Sequence, residues 1–176
     1  MGGIQWRESG SKQSIYPKSG RETHRCYAKR EITQGYAFPA DTPWQREFEE
    51  AFPYVETPDQ VSAIDAIKEA MKIPAHDMLL CGERRFGKTE VAMRAVFKCI
   101  MSGKQAVVLV PTMVLSQQHY KTFTARMGPF GITVGVLNRF CSSGERKRLL
   151  QQLSDGQMDV IIGRMLLFQE KLNAGI

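Results

Sequence analysis

Apolar positions along the chain change their period as it proceeds. Between residues 42 and 52, Trp44, Phe48 and Phe52 recur at i, i+4 and i+8, the spacing of one helix face. Asp41 or Thr42 can cap that helix, Pro43 suits its first position, and the outer face is acidic. A second helix is predicted from Thr57. Thr57-Pro58-Asp59-Gln60 has the spacing of a capping box, and Val61, Ile64, Ile67, Ala70 and Met71 form one apolar face through residue 72. Pro74 ends it.

From residue 78 the pattern becomes short, continuous apolar runs separated by helical segments. Strands are predicted at 78–82, 106–111, 133–137 and 158–163. Helices are predicted at 87–101, at 113–127 with Leu115, His119, Phe123 and Met127 at i, i+4 steps, and from the capping box Ser142-x-x-Glu145 to about residue 153. Largely continuous apolar strands, alternating with helices, predict an α/β fold whose parallel sheet is covered on both faces. Ligands of such sheets sit at the carboxyl ends of the strands. Residues 1–35 carry Gly2, Gly3, Gly10, Pro17 and Gly20 and few apolar residues. They read as a poorly packed or helical arm, with a short helix around 21–34, ahead of a domain over 36–176.

Composition narrows the classes. Apolar residues are 43% and charged residues 24% of 176, the balance of a folded domain. No apolar run approaches the ~20 residues of a membrane span, and no apolar h-region marks the amino terminus, so no membrane association is expected. Trp6 stands where a myristoylation signal needs Ser or Thr. Cys26, Cys81, Cys99 and Cys141 are scattered with no C-x-x-C pair, which argues against zinc and a disulfide framework and makes the cytoplasm the expected location. Charge is uneven: residues 1–35 hold 7 basic and 3 acidic side chains, residues 36–80 hold 3 and 9, and residues 81–176 hold 14 and 6. The basic last segment suits either a polyanionic partner or a solvated cationic surface.

The strongest chemical signal is Gly82-Glu83-Arg84-Arg85-Phe86-Gly87-Lys88-Thr89, which fits G-x-x-x-x-G-K-[ST] between a predicted strand and a predicted helix. Glycines let successive backbone N–H groups converge on one phosphate, and the helix that starts there adds its positive dipole end. Lys88 can bridge the β- and γ-phosphates, and the Thr89 hydroxyl can enter the shell of a magnesium ion. ATP with Mg2+ is therefore the expected cofactor, bound by Gly82 through Thr89, with Lys88 and Thr89 as the catalytic candidates and Thr89 as the metal ligand. Arg85 occupies a position where a small residue is usual. Either it takes an allowed conformation or nucleotide binding is impaired.

Segments 42–60, 79–100, 103–123 and 134–140 together closely resemble the bacterial transcription-repair coupling factors, superfamily 2 DNA translocases related to branched-DNA helicases. The resemblance covers roughly residues 27–163. It implies a three-layer RecA-like P-loop NTPase domain, the first part of the first motor domain. It also implies that Gln60 reads the adenine edge, since a carboxamide donates and accepts at once, although the capping box claims the same side chain. Pro111, Thr112, Gln117 and Gln118 match a motif that touches the DNA backbone, where a strand end feeds a helix N-terminus. Arg139 lies in Asn138-Arg139-Phe140, matching Ser-Arg-Phe of the family, and is expected either at a phosphate or as an ordinary surface arginine. Gly163 matches the start of a DNA-contacting Gly-Thr-His, here Gly163-Arg164-Met165.

Double-stranded DNA is thus the implied partner. RNA polymerase is implied only through parts of the family protein outside this segment. The family loop reads Gly-Asp-Val-Gly-Tyr-Gly-Lys-Thr, so Glu83, Arg84 and Arg85 depart from it. No apolar strand followed by Asp-Glu occurs after residue 89. The expectation is a domain cut off before its Walker B strand, which binds ATP and DNA without turning ATP over at a useful rate. Open strand edges and uncovered apolar faces are expected with it. Two other readings are a non-catalytic nucleotide- or nucleic-acid-binding module, and an unrelated P-loop kinase, for which no substrate lid is evident.

Overall fold

A computed structural model describes residues 5–8, 35–74, 76–83 and 86–164. They fall into two compact units, one built from residues up to 40 and 54–95, the other from 41–53 and 96 onward.

The first unit contains β1 (Gln5–Glu8), α2 (Pro58–Ala70), β2 (Met78–Cys81) and the start of α3 (Lys88–Met101). β1 and β2 form an antiparallel pair in which Trp6 faces Leu80 in register. Residues 5–8 therefore form a strand inside the segment expected to be an arm, and the helix expected around 21–34 lies outside the described residues. α2 starts as the sequence predicts, with Thr57 as N-cap, Pro58 in the first turn and a complete capping box. Its core face is Ala63 and Ile64, packed with Val91 of α3 and flanked by Ile67, Leu80 and Phe86. Val61, expected on that face, is 46% exposed, because the inward-facing position of the first turn belongs to Gln60.

This unit also buries charge. Arg94 of α3 donates from Nη2 to Glu56 Oε1 at 2.6 Å and from Nε to Glu90 Oε1 at 3.2 Å, with Arg94 and Glu90 each 5% exposed. The Arg94 hydrogen bond, with help from its own backbone, holds the Glu56 carboxyl below the usual carboxylate range.

The second unit contains α1 (Pro43–Glu50), the end of α3, β3 (Ala106–Leu109), α4 (Met113–Met127), a 3₁₀ turn (Gly128–Phe130), β4 (Val134–Leu137), α5 (Ser143–Ser154) and β5 (Val160–Gly163). Its sheet is parallel, in the order β3–β5–β4, as the alternation predicts for these three strands, whereas β2, expected in the same sheet, is paired antiparallel with β1. β5 lies in the middle, and every one of its residues is buried. Leu137, Met158 and Ile161 form a core cluster closed by Leu149, Leu150 and Leu153 of α5. Gly135 on β4 leaves room for the Met158 thioether, which would have to shift to admit a Cβ there.

β3, at the sheet edge, is not covered on both faces as its apolar sequence predicts: Val107 and Leu109 are each 53% exposed. Leu79 of β2 is 57% exposed in the same alternating way. Among the described strands only β5 has a strand on either side, and it is buried throughout.

A second cluster of this unit is aromatic. Phe48 of α1 stacks on Phe97 of α3 with centroids 4.2 Å apart, and Phe130 meets both edge-on at 5.4 Å. Arg126 lies 4.2 Å over the Phe48 ring and donates from Nη2 to the Phe48 carbonyl at 2.6 Å. Phe48 is fully buried, while Trp44 is 54% exposed against the edge of Phe130 and Phe52 falls beyond the helix end. The predicted i, i+4, i+8 stripe thus buries only its middle member completely.

Candidate functional site

The phosphate-loop motif leaves the carboxyl end of β2 and enters the N-terminus of α3, the strand-to-helix context its chemistry needs. Gly82, Glu83, Phe86, Gly87, Lys88 and Thr89 are described, and Arg84 and Arg85 lie outside the described residues. Gly87 has φ +69°, a left-handed conformation that only glycine adopts without strain. Its carbonyl accepts the Glu90 amide at 2.9 Å and starts the helix. Helix geometry leaves the N–H groups of Lys88 and Thr89 without an acceptor one turn back, so both are available to an anion.

The Lys88 ammonium donates to the carbonyls of Gly82 and Glu83, at 2.5 Å each. The loop therefore curls around its own lysine. A bound phosphate offers that lysine stronger, charge-assisted acceptors than two neutral carbonyls.

Gln60 is where the structure adds most to the sequence reading. Its Oε1 accepts from the Thr57 backbone N–H at 2.8 Å, and the Thr57 hydroxyl accepts from the Gln60 N–H at 3.3 Å, which completes the capping box. Its Nε2 donates to the carbonyl of Phe86 at 3.1 Å. A Cβ on Gly87 would stand 2.1 Å from that Nε2, so Gly87 is glycine for two reasons, its dihedral and this close approach. Gln60 thus joins the N-cap of α2 to the phosphate loop. By valence, Oε1 can accept one more hydrogen bond and Nε2 can donate one more.

The second group of candidate residues lies in the other unit. Leu109, Gly163 and Leu137 sit in register across β3, β5 and β4, so the three strands end together. Pro111 and Thr112 follow β3, and Asn138, Arg139 and Phe140 follow β4. Thr112 caps α4 by accepting from Leu115 N–H at 3.3 Å, and Gln117 and Gln118 lie about one turn into that helix. Pro111, Thr112, Gln118 and Arg139 are exposed and Gln117 is half-buried.

Gly163 is buried, and its carbonyl accepts from Val110 N–H at 3.0 Å. The residue that leaves the sheet there is Arg164, half-buried. Sequence reasoning gave no role to Asn138. It is 4% exposed, and its Oδ1 accepts the Phe140 N–H at 2.8 Å, fixing the turn after β4. An Asn directly after a buried strand is the signal that could have marked this turn. Ser142 and Glu145 then cap α5 reciprocally, at 2.8 and 3.2 Å.

Among the described residues no group of three or more His, Cys, Asp or Glu could hold a metal ion. A magnesium ion at the loop would rely on the Thr89 hydroxyl and on phosphate oxygens, which suits a cation that keeps several waters. No helix among the described residues is long and apolar enough to cross a membrane.

A glycine-containing loop that joins a strand to a helix N-terminus is the phosphate-loop arrangement, and comparison with known proteins gives the family. Residues 57–173 match the family model for DEAD/DEAH box helicases, and the chain belongs to that family. It is 42% identical over 172 residues to a transcription-repair-coupling factor of Mycobacterium tuberculosis, covering 96% of this chain and 14% of that protein. The corresponding proteins of Borreliella burgdorferi and Bacillus subtilis are 47% identical over 146 residues and 43% identical over 165 residues. They are covered over 13% and 14% of their lengths, so the chain spans about one seventh of these relatives. The structure of RecG bound to a three-way DNA junction superposes with a TM-score of 0.71 at 27% identity, over 83% of this chain and 20% of that one. The RecA-like helicase fold implied by the sequence resemblance is the fold observed.

Proposed function

We propose that this chain binds ATP with Mg2+ at Gly82–Thr89 and double-stranded DNA along the strand ends of its parallel sheet, as part of an ATP-dependent DNA translocase of transcription-coupled repair. The observation that carries the reading is the loop itself: Gly87 at positive φ, Lys88 folded into the loop, and the amides of Lys88 and Thr89 opening α3. Lys88 would exchange the Gly82 and Glu83 carbonyls for the β- and γ-phosphates, and Thr89 would ligate the ion. Gln60, one hydrogen bond from the loop, would read the adenine edge with its remaining donor and acceptor. Pro111, Thr112, Gln117, Gln118 and Arg139, with the backbone about Gly163, would meet the phosphodiester chain.

Hydrolysis needs a carboxylate for the metal and another for the water, and a cation at the transition state. The sequence after residue 89 holds no strand followed by Asp-Glu, so a polypeptide of these 176 residues is expected to bind nucleotide without rapid turnover. Titration with a fluorescent ATP analogue tests the reading. Binding that needs Mg2+ and is lost in Lys88→Ala supports it, and equal binding by wild type and Lys88→Ala removes it. DNA binding by wild type should weaken steeply with salt, as counterion release requires.

A further inference from the structure

The turn after β4 presents an aromatic side chain that the reading above leaves without a task. Phe140 is 72% exposed, although it follows a partly buried strand and a buried asparagine. Its backbone is fixed: Asn138 Oδ1 accepts from the Phe140 N–H, the Cys141 N–H donates to the Asn138 carbonyl at 3.2 Å, and the Cys141 thiol lies 3.4 Å from the Val136 carbonyl. Exposure of the ring is thus built into the turn. The Arg139 guanidinium carbon lies over the ring, 5.5 Å from its centroid, so a cation accompanies the exposed aromatic.

The surroundings are cationic. Residues 138–148 contain Arg139, Arg146, Lys147 and Arg148 against the single acid Glu145. Arg164 leaves the adjacent strand one residue beyond the Leu137–Gly163 register pair. A hydrophobic ligand would not use those charges, and a simple polyanion would not use the ring. An unpaired nucleotide uses both, with its base on the aromatic face and its phosphate on the cations.

We propose that Phe140, flanked by Arg139, is a stacking platform for an unpaired nucleobase, so that the rim prefers DNA in which a duplex adjoins a single-stranded stretch. This rests on the proposed DNA-facing role of the rim and adds a ligand class to it.

The test uses the full chain with three DNAs of one length: duplex, single strand, and a duplex with a gap carrying 2-aminopurine. Wild type is expected to quench 2-aminopurine in the gap. Phe140→Ala should abolish the quenching and weaken gapped and single-strand binding about 5- to 100-fold, the range of one lost base–aromatic stack. Its duplex affinity should stay within about twofold and its salt slope should not change, because no phosphate contact is removed. Phe140→Trp should restore both quenching and affinity.

Unchanged gap binding and quenching in Phe140→Ala overturns the platform while leaving duplex binding in place. Equal loss on duplex and gapped DNA also overturns it, since the ring would then act on fold or backbone contact. If wild type binds none of the three DNAs, the DNA-facing reading itself fails, and the exposed ring is left to a protein partner.

Discussion

The two units are held together by different chemistry. In the unit that carries the phosphate loop, the small apolar cluster of Ala63, Ile64 and Val91 is supplemented by buried polar groups: Arg94 between Glu56 and Glu90, and Gln60 between Thr57 and Phe86. In the other, the middle of the sheet is apolar through β5, and three phenylalanine rings pack with Arg126. Polar partners are directional, and removing one leaves the other with an unmet charge or hydrogen bond. Apolar packing is lost in proportion to the volume removed. The loop is thus supported by directional polar groups, while the strand rim rests on a close-packed sheet.

The largest expected effect comes from Arg94→Ala. Two carboxylates lose their guanidinium, and a broken buried pair costs about 3–5 kcal/mol. Denaturant titration should show the loss, and hydrogen exchange should quicken in residues 58–81. A loss below about 1 kcal/mol would erase the contrast between the units.

Ile161→Ala comes next. Ile161 is fully buried in the core cluster, and truncation there costs roughly 2–5 kcal/mol. Val107→Ala, at a site 53% exposed, should cost less than about 1 kcal/mol. Equal losses would mean that Val107 is covered in solution.

The two complete capping boxes make a matched pair. Thr57→Ala and Ser142→Ala should each cost about 1 kcal/mol. Their partners should differ: Gln60→Ala is expected to weaken ATP-analogue binding as well as stability, because Gln60 also holds the Phe86 carbonyl, whereas Glu145→Ala should leave nucleotide binding unchanged. Equal nucleotide affinity in both variants would detach Gln60 from the site.

The smallest effect is with pH. The Arg94 hydrogen bond lowers the Glu56 pKa, so its stabilising contribution is complete above the ordinary glutamate value of about 4.3 and is lost as pH falls through the depressed folded-state value. Glu56→Gln should remove that acid-induced loss in a stability–pH profile. A profile identical to wild type would show that Arg94 does not hold Glu56 in solution.

Much of this was legible in the sequence. The helix over 113–127 has the residues its period predicts, and Thr42, Thr57 and Ser142 cap the helices that the sequence assigns to them. The phosphate loop was legible because its glycine, lysine and hydroxyl positions follow from the geometry of a phosphate. Other features were not. Leu79, Val107 and Ile161 all lie in apolar runs, yet two are half exposed and one is fully buried. A run of apolar residues records β propensity but not how many neighbours the strand has. The exposure of Phe140 was likewise not legible, because the Asn138 hydrogen bond that fixes its backbone is set by the turn.

The sequence alone determined what depends on neighbours a few residues apart: where helices begin, which runs extend, and where a glycine turns the chain from strand into helix. The tertiary structure decided what depends on residues far apart in the chain. It made β5 the middle strand, sent β1 to β2, set Arg94 against Glu56, and tied Gln60 to Phe86. The physical reason is range: dihedral preference and capping act within a turn or two, while burial and ion pairing are settled only when distant segments meet.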